Sequence, residues 1–148
     1  MIRLICIGKI KEDYLKEAIK EYAKRISKYS KLEIIECKDY EDSISTSKEE
    51  SEILSLINQK DYIILLDIKG EDLTSEQFSN LIDKAFITNP NITFIIGGSN
   101  GISDNIRNVA NKIVSFSRLT FPHQLFRVIL LEQIYRAFKI INNETYHK

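Results

Sequence analysis

With 148 residues, 43% of them apolar, the chain is sized for one globular domain, residues 1–148, that buries its core without disulfide or metal staples. Basic and acidic side chains number 21 each, which argues against a general polyanion binder held by bulk charge. No run approaches the roughly 18 apolar residues of a membrane span and no leader-like start is seen, so a soluble, cytoplasmic protein without a membrane partner is expected.

Ile2 to Ile7, a β-branched run ending at Gly8, reads as a first strand. Leu15, Ala18, Ile19, Tyr22, Ala23 and Ile26 then recur at helical spacing, with Lys and Glu opposite, and predict an amphipathic helix. Leu32 to Cys37 is a second strand, followed by a polar, acidic loop from Lys38 to Ser47. Ser47 to Glu50 matches a capping box and predicts a helix start ahead of Ile53, Leu54 and Ile57. Tyr62 to Ile68 is a third strand, with Gly70 just beyond it. Thr74 to Gln77 forms a second capping box before Phe78, Leu81, Ile82 and Ala85. Ile92 to Ile96 is a fourth strand that runs into Gly97-Gly98-Ser99-Asn100-Gly101. A short helix over Asp104 to Ala110 and a fifth strand from Ile113 to Phe116 follow. Pro122 suits the first turn of a long last helix reaching about Asn142. Strict alternation of this kind predicts an α/β fold: a largely parallel sheet with helices on both faces.

That last helix is apolar almost all round, through Leu125, Phe126, Val128, Ile129, Leu130, Leu131, Ile134, Tyr135, Phe138, Ile140 and Ile141. A second buried face is best supplied by a homodimer, the alternative being a central helix within one monomer. Cys6 and Cys37 lie in apolar strands without ligand spacing and read as reduced core thiols. Charge is uneven along the chain: residues 105–148 hold seven basic and two acidic side chains, so any nucleic-acid contact is expected from the last third.

All five glycines follow apolar strand-like runs, and in parallel sheets ligands bind outside the carboxyl ends of the strands. The glycines therefore mark one candidate ligand rim. Gly97-Gly98-Ser99-Asn100-Gly101 also fits G-x-S-x-G at a strand-to-helix turn, so a small serine hydrolase using Ser99, with Asp104 or Glu132 and His123 or His147, is a rival reading. A dinucleotide fingerprint fails because serine stands at position 99, and no Walker lysine follows. What is left is a compact ligand held largely by backbone groups.

Ser115-Phe116-Ser117-Arg118-Leu119-Thr120-Phe121-Pro122-His123-Gln124 leads a strand end through hydroxyls into the long helix. Together with Leu66-Asp67-Ile68-Lys69-Gly70, the glycine turn, Glu132-Gln133-Ile134-Tyr135-Arg136-Ala137 and the terminal Tyr146-His147-Lys148, this resembles the RlmH family across essentially the whole chain. These are SPOUT-class methyltransferases acting on pseudouridine in large-subunit (23S) ribosomal RNA. The resemblance implies a C-terminal trefoil knot, a homodimer, and S-adenosyl-L-methionine bent inside the knot against Leu66, Gly97, Phe116, Ser117, Arg118, Leu119, Thr120 and Phe121. It implies methyl transfer to N3 of the base, with RNA in the ribosome or large subunit, and not DNA, as partner.

His123, Arg136, Tyr146 and His147 match the acceptor side of that family, with His147 or His123 taking the proton, Tyr146 stacking on or bonding the base, and Arg136 steadying a phosphate or the uracil anion. Three departures from the pattern stand out: Leu119 in place of methionine, Asn143-Glu144-Thr145 in place of a Gly- or Pro-containing turn, and a short acidic loop after Cys37. A ribosome-associated factor that keeps the fold without the chemistry is the non-enzymatic alternative.

Overall fold

The computed structural model describes residues 1–40, 45–98 and 101–147. Five strands, β1 (Ile2–Ile7), β2 (Leu32–Cys37), β3 (Tyr62–Asp72), β4 (Ile92–Ile96) and β5 (Lys112–Ser115), alternate with five helices. The helices are α1 (Asp13–Ile26), α2 (Ser45–Leu56), α3 (Ser75–Thr88), α4 (Asp104–Val109) and α5 (His123–Ile141). All strand pairings are parallel and the order is β2-β1-β4-β3-β5. The α/β expectation and the β1, β2 and β4 boundaries hold as predicted.

Period-two alternation sorts the side chains onto two cores. Ile2, Leu4, Cys6, Ile64, Leu66, Ile92, Phe94 and Ile96 face one side, where they meet Phe78 and Ile82 of α3 and Leu130, Leu131, Ile134 and Phe138 of α5. Ile5, Ile7, Ile63, Leu65 and Ile95 face the other, with Ile53 of α2 and Ile106 of α4. Because both faces are covered, the strands read as nearly continuous apolar runs. On the first face α5 is flanked by α1 and α3. One stripe of α5 is therefore a monomer's central helix, while Leu125 stays 40% exposed and Val128 and Ile129 only partly covered.

Three details differ from expectation. Helix α2 begins at Ser45, so Ser47 lies inside the helix and does not cap it. Its would-be capping partner Glu50 instead accepts a 2.7 Å hydrogen bond from the Ser103 hydroxyl. The acidic loop is correspondingly shorter at its far end, and its residues 41–44 lie outside the described residues. Strand β3 runs past Ile68 to Asp72, because the chain re-pairs with β5 after an irregularity: Val114 is in register with both Leu66 and Glu71. Strand β5 starts one residue early and ends at Ser115, leaving Phe116 beyond it. The second capping box is present in full, with Gln77 N–H donating to Thr74 Oγ1 at 3.1 Å and Thr74 N–H to Gln77 Oε1 at 2.9 Å.

Burial keeps both thiols protonated, raising Cys6 to about 11 and, with help from Glu52, Cys37 to about 12.

Candidate active site

Strands β4 and β5 end beside the irregularity in β3 after Leu66, and the segments leaving them enclose with it a cavity of about 220 Å³. Ile96 at the end of β4 and Leu66 beside it in β3 form its floor, and Gly97, Gly98 and Gly101 give one wall. Phe116, Ser117, Leu119, Thr120 and Phe121, the segment between β5 and α5, give the opposite wall. Seven of the eight predicted cofactor residues therefore line one space. Arg118 is not among the lining residues.

Local chemistry explains this shape. Gly97 stands where an added Cβ would lie 2.5 Å from Ile102 Cδ1, so any side chain there would displace Ile102, itself a lining residue. Gly70 is constrained by backbone: an added Cβ would lie 2.7 Å from Val114 N, which lets the chain after Leu66 cross β5 closely. The opposite wall is held by Ser117, whose hydroxyl accepts from Leu119 N–H at 2.9 Å and whose carbonyl accepts from Ser115 Oγ at 3.1 Å. Phe116 is clamped edge-on between Phe78 and Phe126, with centroids 5.4 and 5.2 Å away.

Sequence reasoning missed Ile68, Ile102 and Phe126 as lining residues, since each reads as ordinary core at its own position. Asp67 was quoted only within a motif. It also lines the cavity and pairs with Arg107 of α4 at 2.5 Å, fastening the irregular middle of β3 to the helix after the glycine turn.

His123, at the first turn of α5, borders the cavity and is exposed. The other three acceptor-side residues gather elsewhere. Arg136 lies 13 residues further along α5, about 20 Å by the helical rise. Its Nη2 donates to Glu132 Oε1 at 2.6 Å and its Nε to Glu132 Oε2 at 3.3 Å. Glu132 raises the guanidinium's affinity for its proton. Tyr146 donates to Glu132 Oε1 at 3.0 Å, lies 4.7 Å beneath the Arg136 guanidinium and meets Tyr135 edge-on at 4.9 Å. Burial first, and Glu132 second, push the Tyr146 hydroxyl above its ordinary value, so it remains a donor. His147 contacts Arg136 Nη1 through Nδ1 at 3.0 Å and Glu76 Oε1 of α3 through Nε2 at 2.7 Å.

The tail reaches this position through a left-handed turn. Asn143 takes φ 54°, while Glu144 N–H donates to Lys139 O at 2.9 Å, closing α5 in the way a C-terminal glycine commonly does. Asn143 thus replaces the glycine or proline absent from this turn. Glu144 is then held by Tyr29 at 2.9 Å and Lys139 at 3.0 Å. Ser99 lies outside the described residues, and Glu132 is committed to Arg136 and Tyr146, so nothing supports the hydrolase triad.

A family model described as "Predicted SPOUT methyltransferase" matches residues 1–147. The chain belongs to the SPOUT methyltransferase family. Among curated relatives, one from Clostridium botulinum (strain Kyoto / Type A2) is 51% identical over 157 aligned positions, covering 99% of each chain. One from Caldicellulosiruptor saccharolyticus is 47% identical over 154 positions, covering 100% of each, and one from Clostridium beijerinckii is 50% identical over 157 positions. All three are named ribosomal RNA large subunit methyltransferase H. Membership of the SPOUT family makes this chain a methyltransferase, and methyltransferases of this kind generally draw on S-adenosylmethionine. Among the described residues no helix is long and apolar enough to cross a membrane.

Proposed function

We propose that the protein methylates N3 of a pseudouridine in large-subunit (23S) ribosomal RNA, in the cytoplasm and on the assembled subunit or ribosome, with S-adenosyl-L-methionine as donor. The observation that carries this is the coincidence of seven resemblance-derived cofactor residues around a single cavity in a full-length family match. Its apolar walls and small glycine backbone suit a flat heterocycle, and the Ser117 and Thr120 hydroxyls and adjoining peptide groups suit a ribose and an amino-acid end. When bound, the cofactor supplies an electrophilic methyl group: the N3–carbon bond forms as the carbon–sulfur bond breaks, and the N3 proton must leave.

The chain's own task is then alignment, exclusion of water and handling of that proton. Gly97 keeps the cavity open, and Phe116 and Phe121 close it from the opposite side. Arg136 carries the positive charge that would steady the uracil ring as it loses its proton, and Tyr146 offers a face or a hydroxyl to the base. His123 and His147 are the two imidazoles available. Arg136 and the tail lie well down α5 from the cavity, so one chain does not bring all four acceptor-side residues to its own cofactor. A homodimer in which one protomer's tail meets its partner's cavity reconciles the two halves, and the partly covered stripe of α5 offers the surface. The trefoil knot belongs to the same proposal and rests on the family resemblance.

Calorimetry with S-adenosylmethionine tests the cavity directly: one site per protomer is expected. A well-folded protein that takes up none would overturn the reading.

A further inference from the structure

The transfer needs a group to accept the N3 proton, and both histidines are eligible by type. Hydrogen-bond directionality separates them. Arginine carries donors only, so Arg136 Nη1, 3.0 Å from His147 Nδ1, must donate, and Nδ1 must present its lone pair. Glu76 is held below its ordinary carboxylate value by its own backbone N–H and then by His147, so it is ionised and can only accept. His147 Nε2, 2.7 Å from Glu76 Oε1, therefore carries the hydrogen. Both ring nitrogens are committed in a neutral Nε2–H imidazole. A proton added at Nδ1 would point at the guanidinium N–H.

We infer that His147 is not the proton acceptor: with Glu76 it is a positioning residue that fixes Arg136 from the side opposite Glu132. Arg136 is then gripped by a carboxylate through Nη2 and Nε and by an imidazole through Nη1, which sets the plane of the guanidinium over Tyr146. Glu76 brings the start of α3 into this chain of contacts, a residue that no sequence motif singled out beyond its place inside a capping box. Of the two imidazoles, that of His123 has no hydrogen-bond partner among the described residues and borders the cavity, so it is the one with a nitrogen to offer.

The inference rests on the methyltransferase reading, and its test separates the two. Nitrogen-15 NMR of histidine-labelled wild-type dimer needs no turnover: His147 should show a protonated Nε2 and an unprotonated Nδ1 at neutral pH, and an imidazolium or an Nδ1–H form would overturn the inference. In methyl-transfer assays His147→Gln retains an acceptor and a donor but no base, and should stay within about fivefold of wild-type kcat, whereas loss of a general base costs about 10²–10⁴-fold. His147→Ala should fall well below His147→Gln, with cofactor affinity unchanged in both. Equal collapse of the two variants in a dimer that still binds cofactor would overturn the positioning role. Glu76→Leu should lower kcat without altering cofactor affinity, and an unchanged kcat would count equally against it. Absence of transfer by wild type would instead strike at the reading under Proposed function.

Discussion

Gly97 shows how one missing side chain shapes the site. A Cβ at this position meets Ile102, itself a lining residue, so a larger side chain here reshapes the wall of the space the cofactor is proposed to fill. Gly97→Val should weaken S-adenosylmethionine binding by about tenfold or more, equivalent to about 1.4 kcal/mol, with the thermal transition little changed. Unaltered calorimetric affinity would show that the cavity is not the binding site. Arg127 is a different case, a guanidinium 1% exposed inside the fold. It donates to Ile7 O at 2.8 Å, Gly8 O at 2.7 Å and Glu36 Oε2 at 2.7 Å, tying the start of α5 to the ends of β1 and β2. Arg127→Ala removes the donor to two carbonyls at the strand ends and the buried partner of Glu36, which keeps its hydrogen bond from Ile10 N–H, so urea unfolding should show a loss of about 3 kcal/mol. A loss under about 1 kcal/mol would mean that water replaces the side chain freely. In sequence Arg127 is one more cation in an apolar helix. Only the fold shows that it points inward to the strand ends.

At the scale of elements, the strands were the most legible part, because burial on both faces writes itself as unbroken β-branched runs. Helix starts were legible where the cap is local, as at Thr74, and misleading where a longer-range partner competes, as Ser103 does for Glu50. The extension of β3 was hidden because its last residues, Lys69-Gly70-Glu71-Asp72, lack the apolar side chains of a buried strand; they are held by backbone pairing with β5 and by the ion pair of Glu71 with Lys112. The tail is the element whose pH response can be predicted. Glu144 has its carboxyl held below the ordinary value by Lys139 and then by Tyr29. The unfolded or detached tail therefore binds more protons in acid. The contribution of these contacts is complete above the ordinary carboxylate range and is lost as pH falls through the lowered value. Amide exchange over residues 143–147 should accelerate below about pH 4, ahead of the β-sheet, once intrinsic pH dependence is removed. Protection that persists at about pH 3 would show that the aromatic contacts of Tyr146 alone hold the tail.

For the whole molecule, the cofactor half of the site was readable because its residues are contiguous or follow strand ends. The acceptor half was readable only through resemblance, since Arg136, Tyr146 and His147 lie on a helix end and a tail that composition would treat as surface. The distance along α5 between His123 and Arg136 turns the dimer into a testable requirement. Arg136→Ala, and Gly97→Val assayed with S-adenosylmethionine well below its weakened affinity, should each turn over poorly alone. Mixed after subunit exchange, they should recover about a quarter of wild-type turnover, because half of the dimers then contain one intact composite site of two. No recovery in verified mixed dimers would place the whole site within one protomer.

Transfer of a methyl group to a large-subunit ribosomal base can be followed by incubating the purified protein and isotopically labelled S-adenosylmethionine with ribosomes from cells lacking the modification, then mapping the labelled nucleotide. Label is expected at N3 of a single pseudouridine in 23S RNA. Ribosome binding without any labelled nucleotide, or label on another class of atom, would contradict it.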